Sequence, residues 1–190
     1  MSNYTDALNM YKLFKGTLHD MEWNNDTVKL FDYIENRGFT ELPASLNHHL
    51  KGQGGLLIHS VNVAKSLIEL TEKLNLKWER PESPIIIGLL HDLCKLEFYK
   101  SEVTHDPRGD RIRFEHNDSP EFDLGGHGML SVVLAQRFIK LTDEEIYCIR
   151  FHMGAYEQKD WSKFDAAIKR YPNVLYTHTA DMIASKILEG

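Results

Sequence analysis

The chain has 190 residues, 42% hydrophobic and 26% charged, which is enough for one domain with a real core (residues 1–190) and too short for two. Its formal net charge of -6 excludes broad electrostatic capture of nucleic acid, which needs a basic face. Bound dications would restore positive charge only at one local point. No apolar run reaches the length of a membrane span and Met1 to Asp20 lacks a signal-peptide pattern, so a cytoplasmic protein with no membrane partner is expected. Cys94 and Cys148 lie far apart and outside any CxxC pair, which fits a reducing compartment.

The N-terminal part, 3–38, is expected to form helices packed on the rest. Asn25-Asp26-Thr27 offers caps, Val28, Phe31 and Ile34 share a face, and Gly38 is the stop. A loop from Asn47 to Gly55 carries His48 and His49. A long amphipathic helix follows from about Leu56 to Leu74, with the stripe Leu56, Val63, Leu67, Leu70, Leu74 and His59 set into it. Ser83-Pro84 is a cap and first-turn pair. Ile85 to Leu90 is apolar all round and reads as a buried central helix. Two alternating segments about Asp106-Pro107-Arg108-Gly109 predict a β-hairpin, about 97–117.

Helical patterning resumes from His127 to Ile139. Thr142-Asp143-Glu144-Glu145 is a capping box opening a helix that ends near Gly154. Asp165 to Tyr171 is helical up to Pro172, and a last helix runs from about Val174 to Leu188. The fold class is therefore all-α, a helical bundle with a small hairpin insertion.

Chemistry concentrates at His91-Asp92, directly after the most hydrophobic segment. An ionised Asp at the end of a buried helix is costly unless it is paired, hydrogen-bonded or bound to metal. His59 sits on an apolar stripe, and Asp181 lies inside an amphipathic helix beside Met182 and Ile183. His127 opens one helix and His152 closes another. Each alone has an ordinary structural explanation. Six together, spread along the helices, do not.

These residues resemble the HD-domain superfamily of metal-dependent phosphohydrolases, of the phage and bacterial HD hydrolase type. The matching stretches are Gly54-Gly55-Leu56-Leu57-Ile58-His59 and Gly88-Leu89-Leu90-His91-Asp92-Leu93-Cys94-Lys95. Gly126-His127-Gly128 with Ser131, Phe151-His152-Met153-Gly154 and Thr179-Ala180-Asp181-Met182 complete the set. The metal-site core would then span about 47–188. The resemblance implies a helical bundle in which His59, His91, Asp92 and Asp181 hold a first metal ion. His127 and His152 would be the further ligands of a dinuclear centre, with Asp92 bridging. Such an N/O donor set, without thiolates, suits two divalent ions among Mn, Fe, Co, Ni and Zn. The chain departs from the cyclic-di-nucleotide phosphodiesterase subgroup at Met153, where those enzymes have a second consecutive histidine, and it lacks their Gly-Tyr-Pro signature.

The resemblance implies hydrolysis of a phosphomonoester or phosphodiester, the partner being a small phosphorylated substrate such as a nucleotide, or a nucleic-acid 3′ end. Asp92 and Lys95 are the expected catalytic residues, Lys95 facing substrate charge. Its ordinary alternative is a solvated lysine at a helix end. Lys95, His49 and Arg113 are the expected substrate contacts. His48 or His49 could protonate the leaving oxygen, and His178 could support the site from behind. A charged hairpin carrying Lys100, Arg108, Arg111 and Arg113 is more often only solvated. Two rivals share the ligands: a mixed-valent di-iron HD-type oxygenase and a non-catalytic nucleotide-binding module.

Overall fold

The computed structural model describes residues 3–21, 24–105, 109–122, 126–156 and 161–190. Two helices open the chain, α1 (Tyr4–His19) and α2 (Asn24–Asn36). The Asn3 side chain caps α1 by accepting the Asp6 N–H at 2.8 Å, which satisfies one of the donors a helix start leaves over. Asn25-Asp26-Thr27 falls within the first turn of α2 rather than outside it, because that helix already begins at Asn24. Phe31 and Ile34 are buried, but Val28 is 39% exposed, so the apolar face is narrower than its spacing predicts.

The central helix α3 (Gly55–Leu74) packs against α1, against α4 (Ser83–Leu90) and against α9 (Asn173–Ile183). Its stripe is buried at Leu56, Val63 and Leu67 and runs out at Leu74, which is 52% exposed where the helix projects past its neighbours. The apolar run forms α4, a helix as expected, and Ile86 to Leu90 are fully buried. Ser83 does not cap it. Glu82 occupies that position, and the Ser83 hydroxyl donates instead to Glu145 Oε1 at 2.8 Å.

A short helix α5 (Lys95–Phe98) leads into the hairpin of β1 (Tyr99–Thr104) and β2 (Arg111–His116). The strands are antiparallel, with Tyr99 opposite His116 and Thr104 opposite Arg111. Asp106, Pro107 and Arg108 lie outside the described residues. Near its base the hairpin is tied down by hydrogen bonds, and Phe114 of β2 packs against the core. Asn117 donates its backbone N–H to Phe98 O (2.8 Å) and its side-chain amide to Glu97 O (2.9 Å), and buried Glu97 is paired with Arg37.

The chain continues through α6 (His127–Gln136), α7 (Asp143–Phe151), a 3₁₀ turn Gly154–Tyr156, α8 (Trp161–Arg170), α9 and a closing π-helical turn Ala184–Leu188. The capping box of α7 forms: Glu145 N–H donates to Thr142 Oγ1 (3.2 Å) and Thr142 N–H donates to Glu145 Oε2 (2.9 Å). The same Glu145 carboxylate accepts from Arg80 and Ser83, so one buried anion locks the start of α4 to the start of α7. The hydrophobic core draws residues from Ala7 to Ala184. The architecture is helical with one two-stranded antiparallel sheet, in agreement with the all-α expectation. Among the described residues no helix is long and apolar enough to cross a membrane.

Candidate metal centre

Two close helix approaches bring the site together. A Cβ on Gly88 would lie 2.4 Å from Ala64 Cα, so only glycine lets α4 pass this near α3, which carries His59. A Cβ on Gly128 would lie 2.2 Å from Arg150 O, which fixes the start of α6 against the end of α7 and its His152. The His91-Asp92 turn is pinned to α6 through Ser131. Its hydroxyl accepts the Cys94 N–H (3.0 Å) and donates to His127 O (3.1 Å).

His59, His91, Asp92, His152 and Asp181 converge from α3, the turn after α4, the end of α7 and α9, all 0 to 9% exposed. His59 Nε2 is 3.3 Å from Asp181 Oδ1, 3.6 Å from Asp92 Oδ2 and 3.2 Å from His91 Nε2. His91 Nε2 is 3.4 Å from Asp92 Oδ2, while His152 Nε2 lies 3.6 Å from the other oxygen, Oδ1. Among the described residues, His59, His91 and Asp181 thus offer one cluster of ligand atoms, His91, Asp92 and His152 a second, and His49, His59 and Glu189 a third, each within 4.8 Å.

The tautomers follow from the outer ring nitrogens. His91 Nδ1 faces Gly88 O at 2.9 Å and His152 Nδ1 faces Ile149 O at 2.7 Å. A carbonyl only accepts, so both Nδ1 atoms carry the proton and both Nε2 lone pairs, when these rings are neutral, point inward. Lone pairs aimed at carboxylate oxygens across 3.4–3.6 Å require a proton or a cation between them. Ligand atoms about 2.0–2.2 Å from a common ion lie at most about twice that distance apart, so this spacing and this N/O chemistry fit a divalent transition metal.

The charges agree with that reading. Burial works to raise Asp92, but Lys95, His91 and His152 outweigh it and hold the carboxyl well below its usual range. Asp181, also opposed by burial, is lowered by His59. Burial alone would depress His59; Asp181 and Glu189 instead push it up to about 9. His152, likewise opposed by burial, is raised by Asp92. His91 is lowered, burial dominating.

The remaining expected residues occupy graded positions. Lys95 is buried and donates to Asp92 Oδ2. A cavity of about 380 Å³ opens on the cluster, walled by His59, Asp92, Asp181, Lys95, His48, His49, His127 and His178, with Tyr99, Met153, Tyr156, Met182 and Lys186 further out. His127 is on this wall, edge-on to Phe98 at 5.2 Å, and belongs to none of the three clusters. His178 Nδ1 donates to His152 O at 2.7 Å, behind the site. Arg113 is exposed on β2 opposite Glu102 and does not line the cavity. Arg108 lies outside the described residues.

Sequence reasoning missed Glu189. Its carboxylate accepts from His59 Nδ1 (3.0 Å to Oε2) and from Asn62 Nδ2 (2.9 Å to Oε1), and His49 Nε2 stands 3.6 Å away. Its one signal is Asn62, three residues after His59 and so on the same face of α3.

No curated protein and no solved structure matches the chain. Among protein families, the HD domain matches residues 56–184, a stretch that contains His59, His91, Asp92, His127, His152 and Asp181. The chain belongs to the HD domain family, whose general character is that of metal-dependent hydrolases, and its buried histidine/aspartate cluster is compatible with metal binding.

Proposed function

We propose that this protein is a phosphohydrolase that uses a dinuclear divalent-metal centre to cleave a phosphomonoester or phosphodiester in a nucleotide or at a nucleic-acid 3′ end. The observation that carries the reading is the split of Asp92: Oδ2 faces His59 and His91, while Oδ1 faces His152. A carboxylate presented to two imidazole sets is suited to bridge two ions. His59, His91, Asp92 and Asp181 would hold the first, and Asp92, His152 and His127 the second.

Bound divalent ions supply Lewis acidity toward phosphoryl oxygens and make water a nucleophile near neutral pH. The chain's own groups do the rest. The buried Asp92–Lys95 pair keeps the bridging carboxylate in one orientation. An ammonium has three N–H donors, so one given to Asp92 leaves Lys95 capacity for a phosphoryl oxygen in the cavity it lines. His49, lowered to about 4 by burial and by His59, is neutral at pH 7, so it would have to take up a proton from solvent before it could pass one to a leaving oxygen. A cavity of about 380 Å³ is in the range that binds small molecules, and Met153, Met182 and Tyr156 give its lining apolar surface on which a base could lie.

The test pairs turnover with metal counting. Protein purified without oxygen and loaded with Mn²⁺, Fe²⁺, Ni²⁺ or Zn²⁺ is expected to hydrolyse some member of a panel of phosphomonoesters and phosphodiesters, and to stop on chelation. Asp92→Ala is expected to lose both ions. His127→Ala and His152→Ala are expected to keep one, with steep loss of activity. Full metal content and full activity in both histidine variants would refute the dinuclear centre. A fully loaded protein that turns over no phosphoester but consumes oxygen would refute the hydrolase.

A further inference from the structure

Glu189 is a buried carboxylate, its side chain 1% exposed, with no Lys or Arg among its ion-pair partners in the described residues. Its nearest partners are side chains at the metal centre. His59 Nδ1 is 3.0 Å from Oε2 and 3.3 Å from Oε1, and Asn62 donates to Oε1 at 2.9 Å. An uncompensated buried carboxylate costs several kcal/mol, so the position is tolerated through these contacts.

The backbone explains how Glu189 arrives there. Asp181 faces the cluster from α9, and Glu189 follows eight residues later. In a continuous α-helix, with about 100° per residue, eight steps leave a side chain about 80° round from Asp181. The turn Ala184–Leu188 is instead a π-helix, closed by Glu189 N–H donating to Ala184 O at 3.1 Å. An i→i+5 turn holds more residues and rotates less per step. The widened turn swings Glu189 back to the side of Asp181. The two carboxylates then approach opposite nitrogens of one ring, Asp181 at Nε2 (3.3 Å) and Glu189 at Nδ1.

We infer that Glu189 is the positioning residue for His59, fixing its proton on Nδ1 and its ring plane so that the Nε2 lone pair is committed to a metal ion. The other two inward imidazoles, His91 and His152, take that instruction from a backbone carbonyl one turn back, at Gly88 and Ile149. His59 has a carboxylate in its place. A carboxylate behind a ligating imidazole orients the ring and raises its basicity, and its removal weakens metal affinity about 10–100-fold. This rests on the reading that His59 holds a divalent ion.

The test uses the full chain as wild type, Glu189→Gln and Glu189→Ala. Zn²⁺ affinity is measured by competition with a chromophoric chelator, and the His59 tautomer by ¹⁵N imidazole resonances of the metal-free protein above the folded His59 pKa of about 9, where the ring is neutral. Glu189→Ala is expected to bind the first ion about 10–100-fold more weakly and to lose the single Nδ1–H signature of His59. Glu189→Gln keeps an acceptor oxygen without the charge, so it is expected to keep the tautomer and recover part of the affinity. Thermal melting of the metal-free proteins separates the alternatives, because a role confined to tying down the last turn would lower that midpoint and leave affinity and tautomer unchanged. Wild-type affinity in Glu189→Ala overturns the inference alone. A wild-type chain that takes up no divalent ion overturns the metal reading and this inference with it.

Discussion

Replacing Lys95 with methionine separates the two cations that compete for Asp92. The side chains of Lys95 and Asp92 are 9% and 5% exposed, and they are in direct contact. Removing one partner of a buried pair costs roughly 3–5 kcal/mol, because it strands the other charge. Three imidazoles stand within 3.4–3.6 Å of Asp92 and can bring it a proton, which puts the loss at the lower end, ~3 kcal/mol in the metal-free protein. With divalent ions bound, their charge takes over what Lys95 supplied, and the loss is expected to shrink below about 1 kcal/mol. The difference, about 2 kcal/mol, must reappear as tighter metal binding in Lys95→Met by roughly 30-fold, even though activity falls. Guanidinium unfolding of chelator-treated and metal-saturated protein measures both losses, and metal titration checks the affinity. Equal losses with and without metal would refute the idea that lysine and ion share Asp92. So would metal-free Lys95→Met as stable as wild type.

Gly88→Ala is expected to destabilise by about 1–3 kcal/mol in urea unfolding and to weaken metal binding, because the new methyl meets Ala64 backbone atoms and pushes α4 off α3. That clash exceeds the gain of up to about 1 kcal/mol in helix propensity, which Gly16→Ala on open α1 surface should show undiminished. Metal affinity is expected to rise about tenfold per pH unit on account of His59 and to level off near its folded pKa of about 9. The sign follows because below that value His59 carries a proton on the nitrogen the ion needs; affinity independent of pH between 6.5 and 8.5 would contradict it.

The polar positions inside apolar patterns were the legible part of the site. Asp92 after Ile85–Leu90, His59 in the α3 stripe and Asp181 in α9 are each costly as isolated groups, and His59 Nε2 stands 3.6 Å from Asp92 and 3.3 Å from Asp181. The Thr142–Glu145 capping box was equally legible because cap chemistry is local. Long-range geometry was not. Ser83 carries the sequence mark of a cap, yet its hydroxyl is claimed by Glu145, 62 residues away. Glu189 follows the last apolar residues of α9 and looks like solvated chain end; only the π turn, which no residue pattern announces, turns it inward. His127 matches the family spacing, but its ring stands on the cavity wall, edge-on to Phe98.

The hairpin is joined to the bundle near its base, through the Glu97–Asn117 contacts and through Tyr99 and Phe114 packed against the core, and beyond Ser101 and Phe114 its described residues are all exposed. Residues paired across an antiparallel ladder have Cα atoms only about 4.5–5.5 Å apart. The chain therefore leaves the body of the protein and returns to it at almost the same point. Such a port tolerates exchange of what lies beyond the Ser101–Phe114 pair: a two-residue turn, a longer ribbon or an entire foreign domain could start at Glu102 and end at Arg113, and the helices carrying the metal centre would keep the path they follow.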